Sequence, residues 1–178
     1  METDDGMTTS AERHGHVGLT SDEPDGRVVR EAVPSRLLGD GSIEILGSPA
    51  LVVGCAAGDA VRIDEDGRFQ VVRQGPNTSV QAFAEPAFSA EDVERLSGGL
   101  RDLGGIVETP PDRTFLVATV PLAAGRSTIN ALVHRWAASI PGIYWQYGTA
   151  VDRREPRPNE EGPGEETSGA FSQLDLFR

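Results

Sequence analysis

The order of apolar patterns between residues 79 and 147 constrains the fold of this chain most. Six elements follow one another there: a strand at SVQAFAE, a helix over residues 89–103, strands at IVET and TFLVATV, a helix over residues 127–139, and a strand at IYWQY. The order βαββαβ is that of a ferredoxin-like sandwich, in which two helices pack on one face of a four-stranded antiparallel sheet. We therefore predict a ferredoxin-like α+β module over residues 77–151.

The starts and stops of the two helices support this interpretation. Ser89 precedes the first helix and is followed at the third place by Asp92, which is a capping pattern. Gly104 and Gly105 then end the helix. The sequence predicts a capped start for the second helix as well.

The preceding residues, 27–76, show short β signals. VVREAV, SRLL and SIEIL are separated by a turn at Gly39-Asp40-Gly41, and an apolar run, ALVVGCAA, comes next. AVRI and FQVV then flank Glu65-Asp66-Gly67, and Asp-Gly between alternating runs is a strong hairpin signal. We predict a small, mostly antiparallel sheet or partial barrel as a separate N-terminal module.

Both ends of the chain have the composition of disordered segments. Residues 1–26 carry seven acidic residues against the single base Arg13, and residues 152–172 are rich in Pro, Gly and Glu. Such stretches cannot bury enough apolar surface to fold. His14 and His16 form a His-Gly-His pair, but without a nearby Cys or further His we predict a solvated tail and no metal site.

Charge and hydropathy exclude several classes of function. Of the net charge of −12, residues 1–26 supply −6 (seven acidic, one Arg) and residues 152–172 supply −3 (six acidic, three Arg), which leaves −3 for the remainder. An acidic chain is repelled by phosphates, so we expect no direct contact with nucleic acid. The absence of a long apolar stretch or a leader predicts a cytoplasmic protein without membrane contact. The lone Cys55 is expected to be a small buried hydrophobe.

Candidate catalytic residues are few. The sequence contains no nucleophile elbow, phosphate-binding loop, dinucleotide fingerprint or metal-ligand spacing. His134 lies on the second predicted helix, where a structural role is favoured over that of a general base. Asp64 and Asp66 flank a turn, and Asp92 and Glu94 belong to the exposed first turn of a helix. We predict no catalytic residue, no cofactor and no enzymatic activity.

The aromatic residues of the last predicted strand suggest a second kind of site. Tyr144, Trp145 and Tyr147 could stack on bases, but the strand lacks the basic residues that RNA-binding sheets interleave with such aromatics. Alternation places Tyr144 and Gln146 on one face, and Trp145 and Tyr147 on the other. We favour packing in the core or at a dimer interface, and we expect Trp136 to join helix to sheet.

The last six residues, 173–178, which we call the tip, resemble the peptide by which bacterial proteins dock onto the DNA polymerase sliding clamp. The usual form of that peptide is Gln-Leu-(Ser or Asp)-Leu-Phe. All five positions are met, in order, by Gln173, Leu174, Asp175, Leu176 and Phe177. Ordinary residue frequencies give such a match by chance in about a few in ten thousand chains of this length.

The resemblance implies binding to the clamp by these five residues. Carriers of the peptide include replicative and translesion polymerases and mismatch-repair proteins. An alternative is that Phe171, Leu174, Leu176 and Phe177 form an amphipathic end that folds back onto the core of the protein. We favour an outside partner, because an apolar end on a polar tail is otherwise hard to explain.

The central part of the chain also resembles an uncharacterised domain-of-unknown-function family of high-GC bacteria. The resemblance covers residues 38–147 and rests on the phrase Gly58-Asp59-AVRID-EDGRF-QVV, the extended strand that follows, and a helix with a Leu-Gly end. It implies a fold and no activity.

Taken together, these patterns predict a non-enzymatic adaptor or regulator that binds the sliding clamp in DNA replication, repair or translesion synthesis. A further replication or repair protein is an expected partner, and a homodimer stays open. The alternative function is a small-molecule-sensing regulatory domain of ferredoxin-like type. The sequence does not decide whether the chain recruits a partner to the clamp or competes for its pocket.

Overall fold

The computed structural model describes residues 14–22 and 26–149 and has an α+β architecture with two antiparallel sheets. The elements in chain order are β1 (His14–Asp22), β2 (Val28–Leu37), β3 (Ile43–Ile45), β4 (Ala60–Ile63), β5 (Phe69–Arg73), β6 (Asn77–Ala84), α1 (Ala90–Arg101), β7 (Ile106–Glu108), β8 (Phe115–Pro121), α2 (Arg126–Ala137) and β9 (Ile143–Tyr147). A single 3₁₀ turn, Leu122–Ala124, precedes α2. No helix within the described ranges is long and apolar enough to cross a membrane.

The first sheet has the strand order β1-β2-β3-β4-β5, and each strand is antiparallel to its neighbour. Its two outer strands, β1 and β5, lie close together at one end. The Thr20 N–H of β1 donates to the carbonyl of Gly67, in the turn before β5, at 2.8 Å. Thr20 also forms a bridge with Arg68, the residue just before β5. The sheet therefore curls so that the turn between β4 and β5 meets β1, and the predicted antiparallel sheet is confirmed.

The prediction of a disordered segment over residues 1–26 is wrong for β1. All nine residues from His14 to Asp22 pair with β2. Leu19 is fully buried and Val17 packs against the same core, so this polar segment carries a short period-2 apolar pattern. Pairing with β2 supplies the main-chain hydrogen bonds, which composition does not reveal. Residues 1–13 and 23–25 lie outside the described part of the chain.

One further local expectation differs from the structure. VVREAV and the first three residues of SRLL belong to one strand, β2, which continues through Pro34. The apolar run at residues 50–57, between β3 and β4, follows an irregular path of bends and turns. Its main chain is held by side chains of other elements, as described below.

The second sheet has the strand order β7-β8-β6-β9 and is antiparallel throughout. Alternate residues of β6 and β8 face the two helices and form the larger core. Its buried members are Val80, Ala82, Ala84, Phe88, Leu96, Leu100, Leu116, Ala118, Val120, Ile129, Val133, Trp136 and Ala137. As expected, Trp136 of α2 is buried in this core with the residues of β6 and β8. Its ring stacks on Phe88, between β6 and α1, at 5.6 Å, and its Nε1–H donates to the carbonyl of Asp92 on α1 at 2.8 Å.

The two helices begin differently. At α1, the Ser89 hydroxyl accepts from the Asp92 N–H at 3.0 Å, and the Asp92 carboxylate accepts from the Ser89 N–H at 3.2 Å, which completes the predicted capping box. α2 starts after Gly125, which has a φ of 80° and offers no side-chain cap. The expectation of a capped start for the second helix is therefore wrong.

Candidate functional site

The segment of residues 47–58, which we call the junction segment, connects the two sheets. Gln81 of β6 is fully buried on the sheet face opposite the helices. Its Nε2 group donates to the carbonyls of Pro49 at 3.1 Å and Val52 at 2.9 Å, and its Oε1 accepts from Gln146 Nε2 at 2.9 Å. Both N–H groups of the Gln81 amide therefore donate to carbonyls of the junction segment. Without Gln81 these carbonyls would lose their donor, which is unfavourable for buried polar groups.

A carboxylate from the first sheet holds the same segment from its other side. Glu31 of β2 accepts hydrogen bonds from three consecutive N–H groups, those of Ala50 and Leu51 at 2.9 Å and that of Val52 at 3.1 Å. Hydrogen bonds to an ionised acceptor are shorter and stronger than those between neutral groups. The Glu31 carboxylate therefore fixes the junction segment to the first sheet.

The end of the junction segment approaches the chain just before β6. Asp59 is fully buried and accepts from the N–H of Ala56 at 2.8 Å and of Gly75 at 2.7 Å. A Cβ atom at position 75 would lie 2.3 Å from the carbonyl carbon of Gly58, so only glycine fits there. Cys55, predicted to be a small buried hydrophobe, is fully buried in the smaller core.

Open depressions lie on the surface of the first sheet, within the residues that the structure describes. One, of about 450 Å³, is lined by Thr20, Arg30, Glu31, Asp66 and Gly67, among others. Another, of about 350 Å³, lies along β4 and β5. Among the residues that the structure describes, no group of three or more His, Cys, Asp or Glu side chains could hold a metal ion.

The five predicted site residues, Gln173, Leu174, Asp175, Leu176 and Phe177, lie outside the described residues. So do the predicted linker at 152–172 and the tip as a whole.

The other titratable residues considered in the sequence analysis lie on the surface. His134 is exposed, and its ring meets Trp145 edge-on at 4.9 Å. Asp64 accepts from the N–H groups of Asp66 at 3.0 Å and Arg68 at 2.9 Å, as expected of a turn residue. Glu94 is exposed on α1. His14 and His16 are exposed on β1.

The aromatic residues of β9 lie on two faces, as alternation predicts. Tyr144 donates its hydroxyl to Gln146 Oε1 at 2.7 Å on the face opposite the helices. Trp145 and Tyr147 pack against the larger core, with ring centroids 5.8 Å apart. The Arg126 guanidinium lies 4.3 Å from the centre of the Tyr147 ring, within the range of a cation–π contact.

The matching family model covers residues 31–140 and describes a domain of unknown function, DUF4265. The chain belongs to this family. The fold is similar to that of a hypothetical protein from Neisseria gonorrhoeae seen in a crystal structure, with a TM-score of 0.62 and 14% identity over 77% of this chain and 95% of that chain. At that identity the likeness concerns the fold alone. No curated protein matches the chain.

The DUF4265 match begins within β2 and ends between α2 and β9. It includes the junction segment, Asp59 and Gln81. It leaves out β1, which completes the first sheet, and β9, which forms one edge of the second. The matched residues therefore include the hydrogen bonds of Gln81 that connect the two sheets. One outer strand of each sheet lies outside the match.

Neighbouring residues change the pKa values of two exposed groups of the DUF4265 domain. Hydrogen bonds from the side chain and the N–H of Ser42 hold the pKa of the Asp40 carboxyl below its ordinary value. The hydrogen bond and charge of Asp22 raise the pKa of the Arg68 guanidinium. The second pair adds a polar tie between β1 and the turn that precedes β5.

Proposed function

We propose that this chain is a non-enzymatic adaptor or regulator that binds the DNA polymerase sliding clamp through Gln173, Leu174, Asp175, Leu176 and Phe177. The process served is DNA replication, repair or translesion synthesis. The observation that carries the proposal is the agreement of all five residues with the clamp-binding peptide. It is a proposal from sequence, since these residues follow the described part of the chain.

The chemistry of the peptide suits a reversible contact. Leu176 and Phe177 are the apolar anchors, and burial of each contributes about 1.5–3 kcal/mol. The amide of Gln173 adds hydrogen bonds that fix the register of the peptide. Together they support a micromolar affinity, about −8 kcal/mol, which allows partners to exchange on a shared ring.

The composition of residues 152–172, rich in Pro, Gly and Glu, supports a tether between the folded part and the tip. A polar coil of this length spans about 25 Å on average. A tethered domain raises the local concentration of whatever it binds near the clamp, or competes with a polymerase for the pocket.

We infer that residues 77–151 form a ferredoxin-like sandwich. The support is the element order β6-α1-β7-β8-α2-β9 together with the strand order β7-β8-β6-β9. A small-molecule sensor of this type is the rival function. A ligand lying on the middle of the sheet, opposite the helices, would have to displace the junction segment from Gln81. This arrangement favours the adaptor over a sensor that uses that face.

A synthetic peptide of residues 172–178 tests the proposal. We expect it to bind the clamp of its own organism with a micromolar Kd in calorimetry, and to be displaced by another clamp-binding peptide. The Gln173→Ala peptide should bind more weakly by about 1–2 kcal/mol, through lost hydrogen bonds. The absence of binding at about 100 μM, near −5.5 kcal/mol, by both peptide and intact protein would contradict the proposal.

A further inference from the structure

Two histidines at the start of the first sheet lie on the same face of β1. His14 and His16 are separated by one residue, and both belong to the run of nine residues that pairs with β2 without interruption. Side chains two residues apart in a strand point to the same face of the sheet. Val17 and Leu19 point the other way and pack into the smaller core. Both imidazoles therefore lie on the outer, exposed face of β1.

The spacing of this pair suits chelation of one metal ion. Two residues of a strand advance the chain by about 6.4–6.8 Å, so the two rings can turn toward a common point. Imidazole nitrogens bind Zn²⁺ at about 2.0–2.1 Å and also suit Cu²⁺ and Ni²⁺. We predicted a solvated tail without a metal site for these residues. The pairing of β1 changes the basis of that prediction, because an ordered strand holds both ligands side by side and lowers the entropic cost of binding.

The surroundings of the pair leave room for an ion and its water ligands. Gly18 is the next residue of β1 on this face, and a Cβ atom there would meet nothing within 4 Å in the described part of the chain. Arg36 lies directly opposite His14 on β2. Its positive charge is compensated, because its Nε donates to the Glu44 carboxylate at 2.9 Å.

The charge of the chain favours a cation at this position. The protein has a net charge of −12, and residues 1–26, which include the pair, contain seven acidic residues against the single base Arg13. A net negative field raises the local concentration of cations and speeds their association.

We propose that His14 and His16 together bind one divalent transition-metal ion of the class Zn²⁺, Ni²⁺ and Cu²⁺. Among the described residues, no third His, Cys, Asp or Glu side chain joins the pair, so water fills the remaining coordination positions. Cu²⁺ should bind most tightly of the three ions. Because both ligands come from β1, the bound ion holds this end of the strand in its extended form.

The composition of the chain isolates this site for measurement. The sequence contains three histidines and one cysteine. Cys55 is fully buried in the smaller core. His134 lies on α2 in the second module, where its ring meets Trp145. His134→Gln is therefore the matched control for the loss of one exposed imidazole.

The experiment adds ZnCl₂ to the untagged full-length protein and follows the ¹⁵N-labelled imidazole nitrogens by NMR. We expect the ring nitrogens of His14 and His16 to shift together and to saturate at one Zn²⁺ per chain, while those of His134 stay in place. Calorimetry with NiCl₂ then gives a Kd for each variant. His14→Gln and His16→Gln should each weaken binding about tenfold or more, because the second ligand no longer acts within the same chain. His134→Gln should bind like the wild type.

A variant with rearranged histidines tests the role of the strand. The His14→Gln, Gly15→His double variant keeps three histidines but places the two imidazoles of β1 on opposite faces. A Cβ atom at position 15 would meet nothing within 4 Å among the described residues, so we expect the variant to fold. It should bind Ni²⁺ as weakly as His14→Gln does. The Leu176→Ala, Phe177→Ala double variant should bind Ni²⁺ like the wild type, because this site does not depend on the clamp.

Several results would overturn the proposal. Wild-type Ni²⁺ affinity in a His14→Gln, His16→Gln double variant would assign the ion to other groups of the chain. Wild-type affinity in the His14→Gln, Gly15→His variant would show that the shared face of β1 does not bring the ligands together. Saturation at one ion for two chains would assign the ion to a contact between two copies.

Discussion

The two sheets have the same antiparallel pairing but are stabilised by different means. Among the described residues, the core of the second sheet has thirteen buried apolar side chains, against six in the core of the first. Burial stabilises in proportion to apolar area, so the smaller core contributes much less. The first sheet instead depends on polar ties, which include Thr20 to Gly67, Glu31 to the junction segment, and Asp59 to Gly75.

This difference indicates that the first sheet is stable only together with the second. The junction segment belongs to both: Val52 and Cys55 are part of the smaller core, while Gln81 of the second sheet binds the carbonyls of Pro49 and Val52. We therefore expect one cooperative unfolding transition for the two modules, although the sequence divides them.

The largest expected effects come from one fully buried leucine in each core, Leu19 and Leu96. Leu19→Ala and Leu96→Ala should each lower the free energy of unfolding by about 2–5 kcal/mol. Both tryptophans, Trp136 and Trp145, lie in the second module, so their fluorescence reports on it alone. In urea titrations, Leu19→Ala should shift the fluorescence midpoint as far as the circular-dichroism midpoint.

Val28→Ala is the matched control, because Val28 is 51% exposed in the neighbouring strand β2. It should change stability by less than about 0.5 kcal/mol. If Leu19→Ala shifts the circular-dichroism midpoint and leaves the fluorescence midpoint in place, the two modules unfold independently and the comparison fails.

Loss of the hydrogen bonds from Gln81 to the junction segment should give the next largest effect. Gln81→Leu keeps a similar volume but leaves the Pro49 and Val52 carbonyls without their donor, which costs about 2–4 kcal/mol for the buried groups together. Chemical denaturation measures the loss. Gln70→Leu, on the exposed side of β5, should be near neutral. A Gln81→Leu protein as stable as the wild type would show that the junction does not depend on this amide.

A smaller effect is expected at the start of α1. Ser89→Ala removes the capping hydroxyl and should lower stability by about 1 kcal/mol. Ser127→Ala, in the first turn of α2, is the control, because α2 has no side-chain cap to lose. Thermal unfolding of the two variants compares the helices directly, and equal losses would contradict the difference in their caps.

The smallest effect concerns Asp40 in the first sheet. Ser42 lowers the pKa of this carboxyl, so the ionised form contributes stability above the ordinary carboxyl pKa, and that contribution disappears as pH falls through the lowered value. A ¹³C-NMR titration should find the Asp40 midpoint below the ordinary Asp value, and Ser42→Ala should raise it. An unchanged Asp40 midpoint in Ser42→Ala would contradict the assignment of the lowered pKa to the Ser42 hydroxyl.

The second module was more predictable than the first because its signals are local. Ser89 and Asp92 mark the start of α1, and the alternating runs of β6 and β8 mark strands that face helices. Trp136 has the buried position that its surroundings in the sequence indicate. Each of these features depends on neighbours within a few residues.

The missed features depend on partners far along the chain. β1 is polar in composition, and only Val17 and Leu19 reveal the alternation that buries it against β2. Glu31 binds N–H groups 19–21 residues away, and Gln81 binds carbonyls 29 and 32 residues away. Neither the partly buried carboxylate of Glu31 nor the buried amide of Gln81 is marked by a local pattern. Gly58 and Gly75 are the available signal, since close approach of two main chains requires glycine.

The binding of the intact protein to the sliding clamp of its own organism tests the functional proposal most directly. Surface plasmon resonance should give a micromolar Kd for the wild type. The Leu176→Ala, Phe177→Ala double variant should lose measurable binding, since about 3–5 kcal/mol of contact is removed, while its melting temperature stays within error of the wild type. A double variant that melts earlier and still binds the clamp would place these side chains in the protein's own core and contradict the adaptor function.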